Sequence, residues 1–234
     1  WVRATDLERI ADTGLQAAAR GQNVYVPVGL QAERQDSGRG KAATVCALAG
    51  LWADIDYQSP AHKAQNLPPD EAAARALLAE LPLEPTAVVH SGHGLQAWWL
   101  FRELWAFGSD AERLAAAELS ERWQATVQAV AARHGWTVDA TADLARVLRL
   151  PGTVNRKDGC EPVPVRLLRL DGSRYTRDDF EPYLVDVPDN RGNGNGSAPG
   201  MRDAIPAGQR NATLTSLAGT MRRSSDATSD ASLA

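Results

Sequence analysis

Leu51-Trp52-Ala53-Asp54-Ile55-Asp56 is an apolar run that ends in two carboxylates one residue apart. If 49–56 is a strand, its side chains alternate between two faces. Asp54 and Asp56 then project together, and Ile55 packs against whatever backs the sheet. Two neighbouring carboxylates repel, and keeping both ionised calls for a compensating cation. The spacing therefore suits an oxygen-ligated divalent metal. The alternative is an Asp pair that merely closes a strand before the turn Tyr57-Gln58-Ser59-Pro60.

Upstream, Thr5 or Asp6 can cap a helix running to about Arg20, with Leu7, Ile10, Ala11, Leu15 and Ala18 on its apolar face. Asn23 to Leu30 has the β-branched and aromatic content of a strand. A polar loop over 31–42 carries Arg34, Arg39 and Lys41 just ahead of the Asp strand. Downstream, 70–81 is expected to be a helix and is closed by Pro82 and Pro85. Thr86 to His90 and Leu95 to Phe101 flank Ser91-Gly92-His93-Gly94 and form a hairpin. A turn of this kind can present backbone N–H groups to an anion, with Ser91 and His93 adding donors. Glycine is also what any tight hairpin turn needs. Ser109 caps a long helix over 110–134 with Leu114, Leu119, Trp123, Val127 and Val130 as core candidates. Trp136 to Asp139 is expected to be a short strand, 144–150 a helical turn, 163–170 a strand and 176–184 a short helix.

The richest stretch follows Val138-Asp139. It holds Asp143, Arg146 and Arg149, then Pro151-Gly152-Thr153-Val154-Asn155-Arg156-Lys157. On a helical turn Arg146 and Arg149 share a face, and two guanidiniums together suit a polyphosphate. Eight Lys/Arg against three Asp/Glu lie between positions 146 and 177, a local basic patch within a chain of net charge −4. Surface ion pairs account for one or two of these arginines but not for the cluster.

The chain has 234 residues, 44% of them hydrophobic, enough for one medium domain with a proper core or a domain plus a fragment. Cys46 and Cys160 stand far apart in no metal-ligand spacing. The expectation is a reduced, cytoplasmic protein without disulfides or a zinc site. No apolar run approaches the ~18 residues of a membrane span, and there is no signal-peptide pattern. The start at Trp1 reads as a fragment of a longer chain. Asp189 to Gly200 has linker composition, and the residues after it are too few for a core of their own.

Carboxylates for metal, a Gly-rich turn and a basic cluster fit phosphoryl or nucleotidyl transfer. In this order the motifs resemble the archaeo-eukaryotic primase superfamily, in its phage- and plasmid-type primase-polymerase branch. The likeness spans roughly 23–184. Its most specific part is Arg-x-x-Arg-x-Pro-Gly-Thr-x-Asn-x-Lys at 146–157. Ile205 to Asn211, with Leu214, Leu217 and Met221 to Arg223, resembles the start of the helical domain that follows the catalytic domain in such primases. No Walker motif follows.

The resemblance implies an α+β fold: a catalytic sheet like that of an RNA-recognition motif, with an N-terminal companion α/β unit. It implies that Asp54, Asp56 and Asp139 hold Mg²⁺ or Mn²⁺, with Asp143 as rival for the third place. Ser91, His93, Arg146 and Arg149 would contact the nucleotide's phosphates, and Asn155 and Lys157 the phosphates or template. The family's hairpin usually carries a His two residues after the second Gly, where this chain has Gln96, or alternatively as Ser-x-His, which His93 satisfies, so either His93 or Gln96 would take that contact. Implied partners are single-stranded DNA, ribo- or deoxynucleoside triphosphates and a replicative helicase. Two other classes remain open: a replication-initiation module that only binds DNA, and a metal-dependent nuclease. The first has no use for three carboxylates, the second none for a triphosphate-binding Arg pair.

Overall fold

The computed structural model describes residues 2–34, 38–62 and 64–187. The chain divides into the units Trp1–Val187 and Pro188–Ala234. The expected linker and truncated helical domain lie outside the described residues.

In chain order the elements are α1 (Leu7–Ala19), β1 (Tyr25–Pro27), β2 (Gly29–Gln31), β3 (Val45–Asp56), α2 (Glu71–Ala79), β4 (Ala87–His90), β5 (Gly94–Ala106), α3 (Asp110–Ala132), β6 (Val147–Arg149), β7 (Val154–Asn155), β8 (Val163–Pro164) and β9 (Arg166–Arg169). Strands β2, β3, β5, β4 and β9 form an antiparallel sheet in that order, and β1–β6 and β7–β8 are two-stranded ribbons. The fold is α+β. Among the described residues no helix is long and apolar enough to cross a membrane. Both cysteines are free.

Alternation along β3 and β5 gives the sheet two distinct faces. Leu51, Ala53 and Ile55 pair with Trp99, Ala97 and Leu95 on one face. There Trp99 meets Trp123 of α3 edge to face at 4.9 Å, and Trp123 meets Phe180 at 5.0 Å. Such aromatic pairs add about 0.5–1.5 kcal/mol each beyond the area they bury. The other face carries Trp52, Asp54 and Asp56 opposite Trp98, Gln96 and Gly94. It is overlaid by the β1–β6 ribbon and by 136–146. Each helix starts at a carboxylate or hydroxyl cap: Asp6 accepts from the Arg9 N–H, Asp70 from Ala73 and Ser109 from Glu112.

Several elements differ from expectation, each because tertiary partners outweigh local pattern. The strand expected over 23–30 breaks at Val28, whose N–H donates to the Arg146 carbonyl, so its halves join different sheets. Residues 136–139 form no strand. This extended strap is held by loops and side chains instead: Thr137 N–H donates to the Asn66 carbonyl, Gln128 to the Val138 carbonyl and Trp52 Nε1 to the Thr141 carbonyl. Of the helical turn expected over 144–150, residues 147–149 are strand β6 instead, paired with β1 and burying Leu148 between Val147 and Arg149. The expected helix over 176–184 shrinks to one 3₁₀ turn, Glu181–Tyr183. In α1 only Gly14 is buried, and Leu7 and Leu15 are exposed. Leu114 of α3 is exposed too, while Leu119, Trp123, Val127 and Val130 are core.

Candidate active site

The acid pair sits at the end of β3, on the sheet face away from the helices. Asp54 lies directly opposite Gln96, and Asp56 opposite Gly94. Arg146 Nη2 donates to Asp54 Oδ2 at 3.2 Å, and the Gln96 side chain also donates to Asp54. Burial nevertheless raises the Asp54 carboxyl above its ordinary range, with Arg146 opposing it and Asp139 adding to it. Asp56 is pushed up to about 7, first by burial, then by the Asp54 charge, against the pull of Lys157. The expected like-charge effect is present, but desolvation outweighs it. His62 Nδ1 lies 3.2 Å from Asp56 Oδ2, and the ring meets His93 edge-on at 6.2 Å.

Internal bonds fix the hairpin turn. Ser91 N–H and Oγ both donate to the Gly94 carbonyl, at 2.9 and 3.1 Å. Gly92, at φ 106°, donates its N–H to His90 Nδ1, and Asn155 Nδ2 donates to the Ser91 carbonyl at 2.7 Å. The anion nest expected here is therefore largely spent: the N–H groups of Ser91 and Gly92 and the Ser91 hydroxyl are committed within the protein. The turn's free donor is His93. Gly94 has a second constraint, because a Cβ there would lie 2.7 Å from Asp56 Oδ1 and 2.8 Å from the Ile55 carbonyl. Only glycine lets β5 pass this close to the acid.

The basic residues arrive on the overlaying segments. Arg146 precedes β6 and Arg149 ends it, so they do not share a helical face, yet both line the same cavity of about 430 Å³. Asp54, Asp56, Ser91, His93, Gln96, Asn155 and Lys157 line it as well. Arg149 Nη1 donates to Asn23 Oδ1 at 2.9 Å, and its guanidinium lies 4.9 Å from the Tyr25 ring centroid. Gln96 Oε1 accepts the Arg149 backbone N–H at 3.0 Å. Gln96 thus ties the acid strand to β6 while still lining the cavity.

Of the expected residues, Asp139 alone stays outside this lining. It is exposed on the strap, though its charge reaches Asp54, Asp56 and His62. Asp143 is committed elsewhere, to Arg39 at 2.6 Å and to the Ala145 N–H. Among the described residues no group of three or more His, Cys, Asp or Glu forms a ready metal cage. The donor set suits a divalent cation in another way. Two hard carboxylate oxygen donors, strained by mutual repulsion and burial, match Mg²⁺, which is usually held by one or two carboxylates plus substrate phosphates.

The cavity also takes in Asn23, Tyr25, His62, Arg156 and Asp158, none of which was singled out from sequence. His62 and Tyr25 stand in no motif, so nothing in the sequence could have flagged them. Arg156 was within the quoted 146–157 run. Five buried polar atoms of the lining have no hydrogen-bond partner: Nε2 of His62 and of His93, Nε of Arg146, Nη1 of Arg156 and Oδ1 of Asn155. Unmet polar atoms are uncommon in folded proteins, and here they gather in one place. Burial holds both imidazoles below the ordinary histidine value, and Lys157 pushes them further down.

Fold and site together define an α+β domain with an acid pair faced by cations across one open cavity. In fold the chain is similar to the AEP domain of the primase-polymerase (PrimPol) of cyanophage S-2L, with TM-score 0.48 and 21% identity over 74% of this chain and 76% of that one. It is also similar to the primase RepB′, with TM-score 0.42 and 20% identity over 75% of this chain and 47% of that one. No protein-family model and no curated protein sequence matches the chain.

Proposed function

We propose that this chain carries out template-directed nucleotidyl transfer, building a primer on single-stranded DNA and extending it during replication of a phage, plasmid or other mobile element. The observation that carries the proposal is the meeting of a desolvated carboxylate pair with cationic and imidazole groups in one cavity. An origin-binding module gains nothing from burying two acids that repel. A nuclease has no need of so many donors on the far wall.

Asp54 and Asp56 would hold Mg²⁺ or Mn²⁺ with phosphate oxygens completing the shell, and Asp139 on the strap is the candidate for a further carboxylate. When bound, the cation would acidify the primer 3′-hydroxyl and draw charge from the triphosphate. The 3′-oxygen would attack the α-phosphorus as its proton passes to solvent, the bond to the β-phosphate would break, and pyrophosphate would leave. His93, Lys157 and Arg156 face the leaving phosphates. Arg146, which bonds Asp54 in this structure, would be free to meet a phosphate oxygen once a cation engages that carboxylate. Gln96 keeps Asp54 in place, and Asn155 holds the Ser91 turn against the cavity. Each charge-assisted bond to a phosphate, partly shielded from water, is worth about 1.5–3 kcal/mol.

The test is incubation with a single-stranded template, Mg²⁺ or Mn²⁺, and labelled ribo- or deoxynucleoside triphosphates. Lengthening products are expected from the wild type and none from Asp54→Asn or Asp56→Asn. Template binding without synthesis, or degradation of the template, would refute the proposal.

A further inference from the structure

We infer that Tyr25 and Arg149 form the platform on which the base of the incoming nucleoside triphosphate stacks, an inference that rests on the nucleotidyl-transfer reading. The two residues are direct partners in the β1–β6 ribbon and line the same cavity. The guanidinium lies 4.9 Å from the phenol centroid. Arg149 is also fixed at two further points: Nη1 donates to Asn23 Oδ1 at 2.9 Å and the backbone N–H to Gln96 Oε1 at 3.0 Å. Tyr25 remains 45% exposed although it sits in a ribbon packed across the sheet. A tyrosine left this open beside a cavity and backed by an immobilised guanidinium is a ready surface for a flat ligand. Both ring and guanidinium stack on nucleobases.

Gln96, directly opposite Asp54 in the sheet, separates this pair from the acids. Lys157 acts on Asp56, His62 and His93, and Arg146 on Asp54 and Asp56. The Arg149 guanidinium is tied instead to Asn23 Oδ1, just ahead of β1, which also accepts the Arg156 N–H. A nucleotide whose phosphates sit between the acid pair and His93 then has the open Tyr25 ring, in the same cavity, as the flat surface for its base. Stacking is indifferent to which base is presented, as a template-directed enzyme requires, because every base has a π-face.

The test compares the affinity of the full chain for a nucleoside triphosphate and for inorganic tripolyphosphate, which lacks the base. The wild type is expected to bind the nucleoside triphosphate more tightly. Tyr25→Ala is expected to lose about 10-fold for the nucleoside triphosphate and to leave tripolyphosphate within about twofold. Tyr25→Phe keeps the ring and is expected to bind as the wild type does. Arg149→Lys keeps the charge but not the plane and is expected to lose most of the preference for the base. Equal losses for both ligands, no loss for either, or a loss confined to single-stranded DNA would overturn the platform. A wild type that polymerises without preferring the nucleoside triphosphate would overturn this inference alone. A wild type that binds neither ligand would overturn it together with the nucleotidyl-transfer reading.

Discussion

Asp56→Asn is expected to stabilise the metal-free protein at alkaline pH while abolishing nucleotide addition. In the folded chain the Asp56 carboxyl is held near 7 against an ordinary 3.8, chiefly by burial and then by the Asp54 charge. Between those values the folded state binds a proton that the unfolded state has lost. Stability is therefore highest below the unfolded value and falls as pH rises through the folded one. A shift of roughly three units would correspond to about 4 kcal/mol in a sealed site. The side chain is 35% exposed, however, and water screening brings this to about 1–2 kcal/mol. For a folded unit of this size that is a rise in Tm of about 2–8 °C at pH 8, shrinking toward zero near pH 4. Asp54→Asn is the internal contrast: it strands the Arg146 guanidinium, whose Nε already lacks a partner, and no comparable gain is expected. The assay is thermal melting of wild type and both variants at pH 4, 6 and 8, with and without Mg²⁺ or Mn²⁺. The cation should raise the wild-type Tm and leave Asp56→Asn largely unmoved. If Asp56→Asn melts at or below the wild type at pH 8, with the same pH slope, the account of the acid pair is wrong.

Three further outcomes are expected. Gly94→Ala pushes a methyl group into Asp56 Oδ1 and the Ile55 carbonyl and should cost about 1–3 kcal/mol along with activity; a normal melting curve would show that the strands separate easily. Gln96→Leu leaves the Arg149 N–H without its acceptor, at about 1–3 kcal/mol; nucleotide addition should drop while the Kd for single-stranded DNA stays put, and parallel losses would count against a positioning role. Truncation after Val187, where the first unit ends, should keep nucleotide addition and hold Tm within about 2 °C; a clear loss of stability would mean the later residues belong to the core.

The β3 and hairpin half of the site was legible because its information is local. Alternation alone puts Asp54 and Asp56 on one face and Ile55 on the other, and Gly-x-Gly between two apolar runs has few structures other than a hairpin. The other half was misread in form although its residues were named. Arg146 and Arg149 are three apart, which fits a helix, and no window of sequence reveals that Tyr25 to Pro27 waits to pair with 147–149. The strap at 136–146 failed for the same reason, because its hydrogen bonds go to Asn66, Trp52 and Gln128, all remote in sequence. In α1 the apolar spacing is real, but the one fully buried residue is small, with Ile10 and Ala18 only half-buried. Gly14 sits so close to Leu150 that its would-be Cβ lies 2.6 Å from Cδ2, and Leu7 and Leu15 are left outside.

Hydrogen-bond accounting then sorts the named residues into those that can meet a substrate and those that hold others in place. A buried group already bonded within the protein holds its partner in place, since breaking that bond strands the partner at a cost of about 1–3 kcal/mol. Gln96 Oε1, on the Arg149 N–H, and the Ser91 hydroxyl, on the Gly94 carbonyl, are of this kind. Asn155 is intermediate: Nδ2 holds the Ser91 carbonyl, and Oδ1, buried and without a partner, remains for a ligand. His93 has an unmet Nε2 and sits on the turn that these bonds immobilise. His93 Nε2 and Asn155 Oδ1 are thus the unmet atoms beside the turn, and Gln96, opposite Asp54 and bonded to the Arg149 N–H, joins the acid strand to β6 next to them.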